Sequence, residues 1–143
     1  MKVKDAMTSQ CEFIEPDDNL QQAAMKMRDL NCGFLPIVRP ATGALEGVIT
    51  DRDIVVRAVA DGCDPTRTLL NQIETPNVLY CYADDGVESA ADMMSTQGVY
   101  RLIVLDSPET KRLCGVITLG DILRHNEQIL AAETARNIMI NAA

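Results

Sequence analysis

The chain contains no Trp, two Phe and three Tyr, so its core has to come from aliphatic and Met side chains. Its one imidazole is His125, with no Cys or Asp constellation around it. It reads as an exposed or helix-terminal residue. No GxxxxGK run, HExxH, GxSxG or metal-spaced Cys/His set occurs, and no nucleophile stands beside an activating base. A catalytic or metal role is therefore not expected. The five cysteines (Cys11, Cys32, Cys63, Cys81 and Cys114) form no CxxC pair. Their odd number, with no secretory segment expected ahead of them, fits buried thiols in a reducing cytoplasm. With 13 basic against 21 acidic residues the net charge is −8. That excludes the basic stripe a nucleic-acid-binding surface needs, while leaving room for a small anion held by local donors. No apolar run approaches the length that crosses a membrane.

What the chain does have is an internal repeat. Gly47-Val48-Ile49-Thr50-Asp51-Arg52-Asp53-Ile54 returns 68 positions later as Gly115-Val116-Ile117-Thr118-Leu119-Gly120-Asp121-Ile122, with six of eight residues identical. At an offset of 67, Asp17-Asp18 matches Asp84-Asp85, Ala23-Ala24 matches Ala90-Ala91, Met27 matches Met94 and Leu35 matches Leu102. A register kept over about fifty residues makes two copies of one module. A copy of about 60 residues would bury only about 60% of its unfolded surface, so the copies are expected to pack on each other. The assignment is repeat 1 over 1–65, a linker over 66–76, repeat 2 over 77–128, and a C-terminal helix or tail over 129–143.

Hydrophobic periodicity and punctuation give β-α-β-β-α in each copy. In repeat 1, Cys11–Ile14 is extended. A helix follows to Leu30, capped by Asp18 with Gln21, with Leu20, Ala23, Ala24, Met27 and Leu30 inward. Strands run over Phe34–Val38 and Leu45–Ile49. Thr50 then opens a helix with Ile54, Val55, Ala58 and Val59 inward, which Gly62 ends. Asp64-Pro65-Thr66 and Thr75-Pro76-Asn77 bracket the connection, in which Leu69, Leu70 and Ile73 suggest a packed turn. Repeat 2 has strands at Val78–Tyr82, Arg101–Leu105 and Leu113–Ile117. Its first helix spans Gly86–Thr96, capped by Asp85 with Glu88. Its second starts at Thr118 and is expected to run through His125, Ile129 and Leu130 toward Met139. That tail is either a packing or dimer-contact helix or a frayed end. The fold class is α/β (α+β), two β-α-β-β-α repeats packed with pseudo-twofold symmetry.

The motif pair Thr50/Asp53, and its counterpart Thr118/Asp121, admits two uses. A Thr followed three residues later by an acid, directly after a strand, is a capping box that starts a helix. The same geometry can also serve a ligand. A helix start offers N–H groups to an anion, a Thr hydroxyl can donate to a phosphate oxygen, and an Asp can accept from a ribose diol. Adenine would need an apolar slot with backbone partners, such as a strand edge near Leu35-Pro36 or Leu102-Ile103. Arg52, Arg101 and Arg124 are the candidate cations, each also readable as a solvated surface arginine. Gly120 stands where repeat 1 has Arg52, which predicts unequal affinities. The acidic turns Asp17-Asp18 and Asp84-Asp85 sit where acids cap helices, so no metal is assigned to them.

The Ala6-Met7-Thr8 lead-in, echoed at Ile73-Glu74-Thr75, the acidic turns and above all the two octamers resemble a tandem pair of CBS domains, the Bateman module. Asp51 to Ile54 followed by Arg57-Ala58-Val59-Ala60-Asp61-Gly62 and Asp64-Pro65 is especially similar to the stand-alone bacterial members. The resemblance implies a pseudo-symmetric pair, often assembled as a flat homodimer, with clefts between repeats for adenosine ligands: AMP, ADP, ATP, S-adenosylmethionine or dinucleotides. It assigns phosphate and ribose to Thr50 and Asp53 and to Thr118 and Asp121. Such modules regulate an enzyme, channel or transporter, and no such domain is expected on this chain. Departures from the pattern are Ile103 where repeat 1 has Pro36, and Leu119-Gly120 for Asp51-Arg52. The resulting expectation is a cytoplasmic regulatory adenosine-nucleotide sensor acting through conformation or an unidentified regulated protein, with no required cofactor. The alternative is a ligand-free dimerisation or interaction module.

Overall fold

A computed structural model describes residues 1–73, 77–125 and 127–142. Glu74, Thr75 and Pro76, which belong to the expected lead-in echo and to the end of the connection, lie outside the described residues. The chain divides into two compact units, one made of residues 12–78 and the other of residues 1–11 with 79–142.

In the first of these, helix α2 (Leu20–Leu30) starts one residue later than the sequence suggests. Its cap is Asn19, whose side chain accepts from the Gln22 amide at 2.9 Å while Gln22 accepts from the Asn19 amide at 2.8 Å. Asp18 does not cap. Its carboxylate closes the Pro16 turn by accepting from the Glu15 amide at 3.0 Å. Asn31, left-handed at φ 52°, ends the helix. Leu20, Ala23 and Met27 are buried, but Ala24 and Leu30 are exposed. Strands β2 (Phe34–Arg39) and β3 (Ala44–Thr50) pair antiparallel, with Leu35 opposite Ile49. The expected extended segment at Cys11–Ile14 contributes a single parallel bridge, Ile14 to Ile37.

Helix α3 (Asp51–Asp53) continues directly as a π-helix over Ile54–Val59. Of the four residues expected inward, only Ala58 is buried and Ile54 partly so; Val55 and Val59 are exposed. The physical reason is that a helix lying on a two-stranded sheet buries one stripe. Ile54/Ala58 and Val55/Val59 form two stripes offset by one residue, and the one carrying the small Ala58 joins the core. Leu70–Gln72 forms the packed turn as a 3-10 helix, with Leu70 and Ile73 in the core and Leu69 exposed.

The other unit begins with α1 (Val3–Ala6) and β1 (Thr8–Ser9). Its sheet also holds β4 (Tyr80–Tyr82), β5 (Arg101–Leu105) and β6 (Leu113–Thr118), in the order β1-β6-β5-β4. β4 pairs parallel with β5, and the other pairs are antiparallel. Helix α4 (Val87–Gln97) has Gly86 at its cap with no side-chain cap, contrary to the expected Asp85/Glu88 box. Asp85 instead accepts from the Tyr82 amide at 2.8 Å, tying the turn to the strand. The expected long last helix is two: α5 (Leu119–Arg124), ended at His125, and α6 (Gln128–Asn141).

Helix α6 packs on α4 and α5, burying Ala131, Thr134 and Ile138. Near its end, the Asn141 side chain donates to the Ser95 carbonyl at 2.7 Å. Gly98, at φ +66°, lies so close that a Cβ there would meet the Asn141 and Ala142 backbone at 2.9 Å. This cover explains why Ala91 is buried whereas its counterpart Ala24 is exposed.

Candidate ligand site at the duplicated motif

Both motif copies start a helix directly off a strand, and both form the capping box. In repeat 1, Thr50 Oγ1 accepts from the Asp53 amide at 3.0 Å and Asp53 Oδ2 accepts from the Thr50 amide at 3.0 Å. In repeat 2, Thr118 Oγ1 accepts from the Asp121 amide at 3.1 Å and Asp121 Oδ2 accepts from the Thr118 amide at 2.8 Å. The structural use of the motif therefore holds in each copy, and a ligand role is additional to it.

Beyond the shared box the copies differ. The Thr118 hydroxyl also donates to Asp121 Oδ2 at 2.9 Å, and Arg124 Nη2 donates to Asp121 Oδ1. Asp121 is 3% exposed, and both of its oxygens are occupied. In repeat 1, Asp53 is half-buried, and among the described residues neither its Oδ1 nor the Thr50 hydroxyl hydrogen has a partner. The residue one turn on, in the place of Arg124, is Val56. Repeat 1 thus presents an acceptor and a donor side by side.

The other candidates are dispersed around these pairs. Arg101, first in β5, lies in register with Thr118, and its guanidinium stands 4.8 Å over the Tyr100 ring. The equivalent partner of Thr50 is Phe34. Arg52 and Arg124 are exposed on their helices. Pro36 and Ile103 are buried in the middle of β2 and β5, paired with Val48 and Val116. His125 is exposed at the end of α5, its Nδ1 2.8 Å from the Asp121 carbonyl. Among the described residues, no group of three or more His, Cys, Asp or Glu is placed to hold a metal ion. Sequence reasoning had not paired Arg124 with Asp121. The available signal was the Asp-x-x-Arg spacing, which puts both on one helix face.

The CBS-domain family model matches residues 3–59 and 70–127. The chain belongs to the CBS-domain family. It is a tandem CBS pair, one match per repeat. It is 32% identical over 120 residues to the CBS domain-containing protein YhcV of Bacillus subtilis, covering 84% of this chain and 81% of that protein. It is 30% identical to hypoxic response protein 1 of Mycobacterium tuberculosis over 85% of this chain and 82% of that one. A crystal structure of Hypoxic Response Protein I with two coordinated zinc ions superposes at a TM-score of 0.77 with 30% identity, over 87% of this chain and 98% of that chain. The CBS pair of protein MJ0100, in complex with 5'-methylthioadenosine and S-adenosyl-L-methionine, superposes at 0.71 with 28% identity, over 90% of this chain and 97% of that one.

Proposed function

We propose that this CBS pair is a regulatory module that binds an adenosine-containing ligand, AMP, ADP, ATP or S-adenosylmethionine, through the Thr50/Asp53 pair. The observation that carries the proposal is Asp53 Oδ1 beside the Thr50 hydroxyl hydrogen, neither with a partner among the described residues, at the start of a nine-residue helical run, 51–59. A carboxylate oxygen suits a ribose diol. The hydroxyl, with the amides at the helix start, suits phosphate or another polar group. The MJ0100 pair in complex with two adenosine compounds supports this class of ligand. Binding acts by linkage: a ligand that favours one arrangement of the chain shifts its population by the difference in affinity alone. The reading is non-catalytic, and five cysteines outside any disulfide suit a reducing cytoplasm.

Thermal unfolding with each of the four ligands tests it. One of them raises the midpoint saturably, by the equivalent of roughly 2.7 kcal/mol at a hundredfold excess over its Kd, and Asp53→Ala abolishes the rise. No rise with any of the four up to millimolar concentration removes the proposal.

A second reading, the interaction module, is favoured by a separate observation. Val55, Val56 and Val59 leave an apolar stripe exposed on the π-helix. A homodimer joined through this stripe would bring two copies of the same patch together. Val55→Asp would then shift the sedimentation coefficient from dimer to monomer. A wild-type monomer at high micromolar concentration contradicts it.

A further inference from the structure

The two motif copies share the capping box and differ in what surrounds it, and the difference lies in two linked positions. Repeat 1 has Arg52 and Val56; repeat 2 has Gly120 and Arg124. Each pair is four residues apart, so its members are neighbours on the helix surface. In repeat 2 the Arg124 guanidinium folds back over Gly120. A Cβ built on Gly120 would lie in van der Waals contact with Arg124 Nη1 at 3.4 Å and Thr118 Oγ1 at 3.5 Å, which places the guanidinium directly over this position. From there Arg124 Nη2 reaches Asp121 Oδ1, the oxygen that the cap leaves over.

The pairing is not an ordinary surface ion pair. The Asp121 side chain is 4% exposed while that of Arg124 is 68% exposed, so the carboxylate is shielded and the cation lies over it from the solvent side. An exposed pair exchanges readily with water and contributes little; a pair with one nearly buried partner is screened less. The hydroxyl is committed as well, since Thr118 Oγ1 both accepts from the Asp121 amide and donates to Asp121 Oδ2. A ribose diol arriving at this carboxylate would have to displace a charged donor. At Asp53 it displaces none of the described residues.

We infer that Arg124 is an internal occupant of the second motif: its guanidinium takes the place of a ligand diol on Asp121, so the chain has one adenosine site, at Thr50/Asp53. Arg124 is thus a specificity-determining residue. The inference rests on the adenosine reading of the motif.

Equilibrium dialysis with AMP, ADP, ATP and S-adenosylmethionine as probes tests both and separates them. The expected stoichiometries are one probe per chain for the wild type and none for Asp53→Ala. Arg124→Val, which installs the repeat 1 residue, should bind two. The double variant Asp53→Ala/Arg124→Val should bind one. Arg124→Gln, which is neutral and shorter, stands in if the valine variant lacks a cooperative unfolding transition. A wild type that binds two, or Arg124 variants that stay at one, overturn the inference and leave the adenosine reading standing; an Asp53→Ala variant that keeps its ligand overturns the Thr50/Asp53 site and the inference with it. No binding of any of the four to any variant overturns the adenosine reading, and the inference with it.

Discussion

Asp53 and Asp121 hold the same place in their repeats and carry different loads. Among the described residues Asp53 accepts one hydrogen bond, from a backbone amide; Asp121 accepts three, one from a guanidinium. Removing a carboxylate that satisfies a buried amide and a charged donor leaves more unpaired than removing a simple cap. Asp53→Ala is expected to cost about 1 kcal/mol, and Asp121→Ala at least about 2 kcal/mol. Urea unfolding of the two variants checks the order. The boxes were legible because Thr-x-x-Asp after a strand is a local signal. The Asp121–Arg124 pair is not legible in the same way, because the sequence alone equally allows Arg124 to be a phosphate donor or a solvated arginine. Asn19 and Gly86 were missed as caps because each follows an Asp that looked the stronger candidate, and both Asp side chains close the preceding turn instead. Cys81 gives a separate prediction. Burial is the first cause pushing its thiol up to about 12, with Asp85 and Cys114 adding to it. A group raised on folding stabilises the protein fully below its unfolded value and loses that contribution as pH rises toward the folded value. Stability is therefore expected to fall between about pH 9 and 12, and Cys81→Ala should flatten that part of the profile.

Among the elements, α6 sets the two repeats apart. Its scattered apolar residues fit either a packing or dimer-contact helix or a frayed end. The structure sorts them: Ala131 and Ile138 are buried against α4 and α5, while Ile129, Met139 and Ile140 are exposed. Ile138→Ala is expected to cost about 2–5 kcal/mol, the range for a buried large-to-alanine change. Ile129→Ala should stay within about 0.5 kcal/mol. Equal losses in urea unfolding would contradict this placement. The single long helix expected from Thr118 fails because no periodicity argument shows the break at His125, where the chain turns so that α6 can lie back on α4. Strands β2 to β6 agree with the sequence to within two residues, since short β-branched runs between turn residues are strong local signals, whereas β1 carries no such signal and the expected segment at Cys11–Ile14 forms only a bridge.

At the scale of the molecule, the repeat made the architecture legible: once two copies keep register, each element of one is supported by its counterpart. The repeat did not show where the first eleven residues go. Val3 donates its amide to the Asp85 carbonyl at 2.8 Å and Lys4 to that of Ala83 at 2.9 Å. Lys2 and Lys4 flank Asp84 at 3.0 and 2.8 Å, and their hydrogen bonds hold its carboxyl below the usual range. The N-terminal segment thus folds with repeat 2, a long-range pairing that no local pattern encodes. Hydrogen exchange should protect the Val3 and Lys4 amides together with β5 and β6; rapid exchange at both would refute this.

The central claim, that repeat 1 carries an adenosine site, is tested most directly by amide chemical-shift mapping during titration with S-adenosylmethionine and AMP. The account predicts saturable shifts at Thr50 through Ile54 for at least one of them, with Thr118 through Ile122 nearly still. Shifts centred on Thr118 through Ile122, or none at Thr50 through Ile54 at millimolar ligand, would contradict it.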